Sequence, residues 1–271
     1  MSEFDGMQLL LGLTAGTVGG ALGGVLAGIA GVGGGLIYVP VFYALLSQNP
    51  DAIPLSVFIS LLAIVVTGGF SARAHARLGH INRHAVGYLL PGLICGAVAG
   101  LMFTLRLPGT FALAALALLD GWVAYDYGKD MKSTMRSSDS PRLPWVAVPP
   151  IGFISGTLGI GGGTMLVPLL RRSLPLRQAI GTSALCGTLM AAAALAINGI
   201  FIPDWKVLLG SQIWFILGVL AAILCTLPFS TSWSAGLHAS LSEGTMRMLL
   251  KGVFSLLSAG LGLAALFRFL Q

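Results

Sequence analysis

Two short runs of glycine could do chemistry here without any ionisable group. Residues 31–40 read GVGGGLIYVP and residues 159–168 read GIGGGTMLVP, one G-x-G-G-G-x-x-x-x-P pattern repeated 128 positions apart. Glycine inside a helix costs about 0.5–1 kcal/mol relative to alanine, so each run should break a helix, yet both lie in apolar sequence. A helix that restarts after such a break presents N–H groups without intrahelical partners, and their partial positive charge attracts anions. The residues placed to bind an anion are therefore Gly33, Gly34 and Gly35 in the first run and Gly161, Gly162 and Gly163 in the second, with Pro40 and Pro168 as structural ends of the motif. Thr164, Thr182 and Ser183 fall at or just after expected helix starts, where a hydroxyl either caps the helix or touches an anion's oxygens. The alternative for the glycines is close helix packing, the preferred reading for Gly24, Gly28, Gly152 and Gly156.

Few other residues invite chemistry. Asp120, in ALALLDGWVAYDYG, is the one carboxylate clearly inside an apolar segment, which makes it the candidate for proton coupling; pairing with a loop arginine is the alternative. His75, His80, His84 and His238 map to loops, which leaves no buried Ser-His pair for an intramembrane protease. The segment ARAHARLGHINRH reads as an orientation signal, with an anion funnel or pH sensor as the alternative. Leu36 and Thr164 stand where a phosphate-binding loop needs Lys-Ser/Thr, so the glycines do not cradle a nucleotide. Cys95, Cys186 and Cys225 lie in apolar segments without CxxC spacing, so no metal site, disulfide framework or cofactor is expected, and the chain does not read as an enzyme.

The elements that position these residues must sit in lipid. Hydrophobic residues make up 56% of the chain and charged residues 9%, against about 25% in soluble domains. Apolar stretches at 7–30, 54–71, 85–105, 107–125, 178–197, 207–227 and 248–267 are each about long enough to span hydrocarbon as a helix. Glu3 and Asp5 precede the first, which therefore lacks the basic start of a cleavable signal peptide. The net charge of +6 is explained by basic loops on one side of a membrane, with no need for nucleic acid.

Between residues 24–40 and 152–168 eight of 17 positions are identical, and the shared Val-Pro ends are the most telling. The chain divides into a first repeat at 1–128, a polar linker at 129–144 and a second repeat at 145–271. The link after the first glycine motif, SQNPDAIP, has no Lys or Arg, whereas RRSLPLR after the second has three. Equivalent loops thus face opposite sides, so the repeats should be inverted. Placing RRSLPLR and the linker in the cytoplasm puts twelve of the fifteen Lys and Arg inside and leaves Arg106, Lys206 and Arg268 outside, with both termini outside. Residues 145–170 must then enter and return on one side. They are too few for two crossings, which need about 40 residues, and are expected to form a re-entrant hairpin; one continuous kinked span is the competing reading. The expected fold is all-α and polytopic, each repeat a glycine-tipped broken-helix hairpin plus three transmembrane helices.

The paired motifs resemble those of the TauE/SafE sulfite exporter family, also called the toluene sulfonate uptake permease superfamily. A second family-like feature is AIGTSAL at 179–185; the first half has AIPLSVF at 52–58, which keeps Ser56 but lacks the Gly-Thr. Ser56 thereby joins the candidate binding residues. The resemblance implies a multi-spanning carrier of the cytoplasmic (inner) membrane that handles sulfite, sulfonates or related small anions, mostly outward. The expectation is a secondary transporter that exports a small sulfur-containing anion bound at the membrane midplane. A passive anion channel and a non-transporting membrane scaffold are the alternatives. The expected partners are the anion and the bilayer, with a homo-oligomer left open.

Overall fold

The computed structural model describes residues 5–30, 34–46, 49–127, 145–170, 173–240 and 243–270. Gly33, Arg171, Arg172 and the linker at 129–144 lie outside the described residues. The described residues form eleven α-helices in chain order: α1 (Gly6–Ala30), α2 (Gly35–Leu46), α3 (Ala52–Arg77), α4 (Arg83–Thr104), α5 (Gly109–Tyr127), α6 (Val148–Leu158), α7 (Gly163–Leu170), α8 (Leu176–Phe201), α9 (Pro203–Ser211), α10 (Ile213–Ser240) and α11 (Glu243–Leu270). Among the described residues six of these, α1, α3, α4, α8, α10 and α11, contain segments long and apolar enough to cross a membrane. At 1.5 Å per residue, the 11 residues of α6 and the 8 of α7 reach only about 16 and 12 Å, against about 30 Å of hydrocarbon.

Lipid offers apolar helices no hydrophobic reason to associate, so close packing must hold the bundle together. Small residues supply it. Gly12 and Gly16 of α1 lie against the Phe215 and Val219 backbone of α10, and Gly152 and Gly156 of α6 against Leu93 and Ala97 of α4. A Cβ at any of these four would collide with facing main chain. Residue numbers rise together along both interfaces, so each pair runs parallel. In contrast α5 and α11 run antiparallel, with Gly109 beside Arg268 and the Ser258 hydroxyl donating to the Ala117 carbonyl at 2.7 Å. Antiparallel too are α3 and α8, where Gly68 meets Thr188 and His75 meets Gly181.

Two local expectations need correction. The apolar stretch 207–227 is not one span: Pro203 restarts the chain as α9 after extended Ile202, and a second break at Gln212 separates it from α10. Trp205 anchors α9, fully buried and tilted against Phe58 with ring centroids 5.0 Å apart. Asn198 lies inside the last turn of α8. Its amide donates to the Ala194 carbonyl at 3.0 Å and to Val98 of α4 at 3.1 Å, which ties α8 to α4. Finally, His75, His84 and His238 fall within α3, α4 and α10 rather than in loops.

Candidate functional site

The second glycine motif is a break built from backbone conformation. Gly159 closes α6 at φ +68°, and both its N–H and that of Ile160 donate to the Ser155 carbonyl, a glycine-terminated helix end that a side chain would strain. Gly161 (φ +65°) and Gly162 (φ +70°) continue in the left-handed region. The Gly162 carbonyl then accepts from Met165 and Leu166, at 3.2 and 2.8 Å, and α7 begins. α6 lies along α4 and α7 along α8, so the two arms of the break part from each other.

Close approach is what builds the first motif. The Gly34 carbonyl accepts from Ile37 and Tyr38, both at 3.0 Å, to start α2. A Cβ on Gly34 would lie 2.6 Å from the Tyr38 ring, and one on Gly35 would lie 2.8 Å from the Ile160 backbone. The two motifs therefore touch, Gly35 against Ile160, and both Gly35 and Gly161 rest on Ile64 in the middle of α3. From α3 the Ser60 hydroxyl donates to the Gly159 carbonyl at 2.6 Å; from α8 Ser183 reaches the Gly163 carbonyl at 3.5 Å, and Gly187 leaves room for the Gly161 carbonyl.

Two helices thus begin at one buried centre, and their first N–H groups have no partner within the helix. Pro40 and Pro168 lie inside α2 and α7 at equivalent positions. Each lacks an N–H, so the carbonyls of Leu36 and Thr164, one turn back, lose their helical donor. The side chains in contact with the breaks are apolar or carry hydroxyls: Tyr38, Val39, Ser60, Ile64, Ser155 and Met190. No charged side chain is among them.

The other candidates from the sequence are scattered. Thr164, buried at the start of α7, belongs to the centre and its hydroxyl has no partner among the described residues. Ser56 donates to Ala52 of its own helix at 2.6 Å. Thr182 faces the turn between α3 and α4, where it accepts the Asn82 N–H at 3.0 Å, close to the pair formed by His75 and His80. Asp120 is fully buried on α5, whose main neighbour is α11, and neither carboxylate oxygen has a partner among the described residues. Tyr38, Ser60 and Ser155 are the site residues that sequence reading missed. Ser155 stands four residues before Gly159 and Tyr38 four after Gly34, one helical turn from a break in each case, and that spacing is the available signal. Among the described residues no group of three His, Cys, Asp or Glu could hold a metal ion.

Comparison with known proteins gives this site a family. The chain is 34% identical over 178 residues to a probable membrane transporter protein of Haemophilus influenzae, covering 63% of this chain and 66% of that protein. It is 25% identical over 170 residues to a probable membrane transporter protein of Methanocaldococcus jannaschii, covering 56% and 60%. The matches thus span slightly less than two thirds of these curated relatives. No solved structure matches. The family model for the sulfite exporter TauE/SafE matches residues 16–262, glycine breaks included, and the chain is a multi-pass membrane protein that belongs to that family.

Proposed function

We propose that the protein is a secondary transporter that exports a small sulfur-containing anion, such as sulfite or a sulfonate, held where the two glycine breaks meet. The observation that carries this reading is the contact of Gly35 with Ile160, which sets two helix starts at one buried centre free of charged side chains. N–H groups at Gly34, Gly35 and Gly162 would hold the anion's oxygens in place of water; that of Gly163 already donates to the Gly161 carbonyl at 2.8 Å. Broken helices in inverted repeats, with substrate at the repeat interface, are a recurring design of secondary transporters. The antiparallel pairing of α3 with α8 and of α5 with α11 supports inverted repeats, because halves related by an axis along the membrane normal would set equivalent helices parallel. In this reading the arginine-rich turns and the linker face the cytoplasm and both chain ends face outward.

An uncharged site lets the anion carry its full charge across the field. Export from an inside-negative cell then gains about 2.3 kcal/mol per charge per 100 mV and needs no coupling ion. Proteoliposomes loaded with labelled sulfite should release it faster when a valinomycin potassium gradient makes the interior negative. The buried carboxylate of Asp120, without a partner among the described residues, favours a second reading, proton coupling. Should Asp120→Asn stop the flux, and a pH gradient rather than voltage set its rate, that second reading replaces the first.

A further inference from the structure

Hydroxyl groups divide into two populations in this molecule. Away from the glycine centre the buried ones pair with carbonyls or accept an N–H: Ser56 with Ala52, Thr67 with Ala63, Thr104 with Gly100 and Thr157, Thr182 with Asn82, Ser230 with Leu227. Only three buried hydroxyls among the described residues have no partner, those of Tyr38, Ser155 and Thr164. All three adjoin the breaks. The Tyr38 oxygen lies 2.8 Å from the Cβ position of Gly34, whose neighbour Gly35 meets Ile160. The Ser155 oxygen lies 3.7 Å from the Cβ position of Gly162, and Thr164 follows two residues later. Thr67 lies within reach of the Tyr38 hydroxyl and gives its own proton to the Ala63 carbonyl, but the two hydroxyls do not meet in hydrogen-bond geometry.

A buried hydroxyl left unpaired is destabilising, and such groups in native structures call for an explanation. Three of them, from α2, α6 and α7, around two helix starts have one in common. We infer that Tyr38, Ser155 and Thr164 are ligand-binding hydroxyls that donate to the oxygens of the bound anion and stay unpaired until it arrives. Resting on the transport reading, this assignment makes the site a shell of neutral donors suited to a compact anion with three or more oxygens. A planar two-oxygen carboxylate could not turn a separate oxygen to each of the three donors, and one oxygen would have to accept twice.

The test turns on a sign. Tyr38→Phe, Ser155→Ala and Thr164→Val each remove one oxygen and nearly keep the shape, and each is compared with wild type as purified full-length protein. Ligand donors predict a melting temperature without anion that is unchanged or raised, because an unmet polar group has gone. They also predict sulfite affinity weakened about tenfold or more in each variant. Acetate should bind the wild type more weakly than sulfite or methanesulfonate. A melting temperature lowered by more than about 2 °C would mark the hydroxyls as structural and overturn the assignment; so would unchanged sulfite affinity in all three. If sulfite fails to bind the wild type at all, the transport reading fails separately. The stabilities without anion then still decide the hydroxyls, a rise keeping the assignment and a fall removing it.

Discussion

The two glycine breaks share a motif but need glycine for different reasons. At the second break three glycines sit at φ between +65° and +70°. There the backbone itself excludes a side chain, at about 1–2 kcal/mol per residue for the left-handed conformation. At the first break Gly34 and Gly35 have ordinary φ and are small because neighbours press on them, the Tyr38 ring in one case and Ile160 in the other. The arms differ as well. α1 is long and apolar enough to cross the membrane and lies along α10, whereas α6 is too short to cross and lies along α4. One sequence pattern can thus be met by conformation in one half and by contact in the other, both serving to start a helix at the buried centre.

The largest effect expected from this contrast is loss of transport. Gly162→Val and Gly34→Val should each abolish sulfite flux while the protein still inserts, as measured by membrane yield and proteoliposome efflux. The contrast sharpens in stability. Gly34→Ala should lower the melting temperature of the wild type but add little further loss in a Tyr38→Ala background, because the clash is with that ring. No trimming of Met190 should rescue Gly162→Ala, whose cost lies in φ. Rescue at both sites would erase the distinction.

Next in size is a topological outcome. Single cysteines at Asn49 and Ser173, in a background lacking Cys95, Cys186 and Cys225, should react with an impermeant reagent from opposite sides of the membrane. Reaction from one side would end the inverted relation between the two breaks.

Smallest is the effect of hydroxyls outside the centre. Ser56→Ala should change flux by less than about twofold, since its proton goes to its own helix. Thr182→Val should alter the docking of the turn between α3 and α4, read as faster proteolysis near His80, with sulfite affinity kept within about threefold. These bounds follow from the modest net value of one replaceable hydrogen bond. A loss as large as that at Thr164 in either variant would mean that the site extends beyond the breaks.

What the sequence made legible follows from the kind of signal each feature leaves. Apolar length marked six helices that could cross a membrane, though the stretch at 107–125 is not among them, and repeated glycines marked the breaks, because both are local properties. The division at Ser211 and Gln212 was easy to miss, since the short polar run Gly210-Ser211-Gln212 interrupts an otherwise apolar stretch at 207–227 and Pro203 was the other hint of a separate helix. Thr182 looked like a site residue by its place near a helix start, but where it points depends on how α8 meets α3 and α4. Tyr38 and Ser155 were invisible as ligands for the converse reason. Their meaning lies in a missing partner, and only the packed bundle shows who is paired.

That the two breaks together form one anion site is tested most directly by equilibrium dialysis of the purified protein against labelled sulfite. The account predicts one bound anion per chain in the wild type. Gly35→Ala, which pushes on Ile160, and Gly162→Ala, which strains the opposite break, should each abolish that binding while the chain stays folded. Sulfite bound with undiminished affinity after either substitution, or two independent sites per chain, would contradict it.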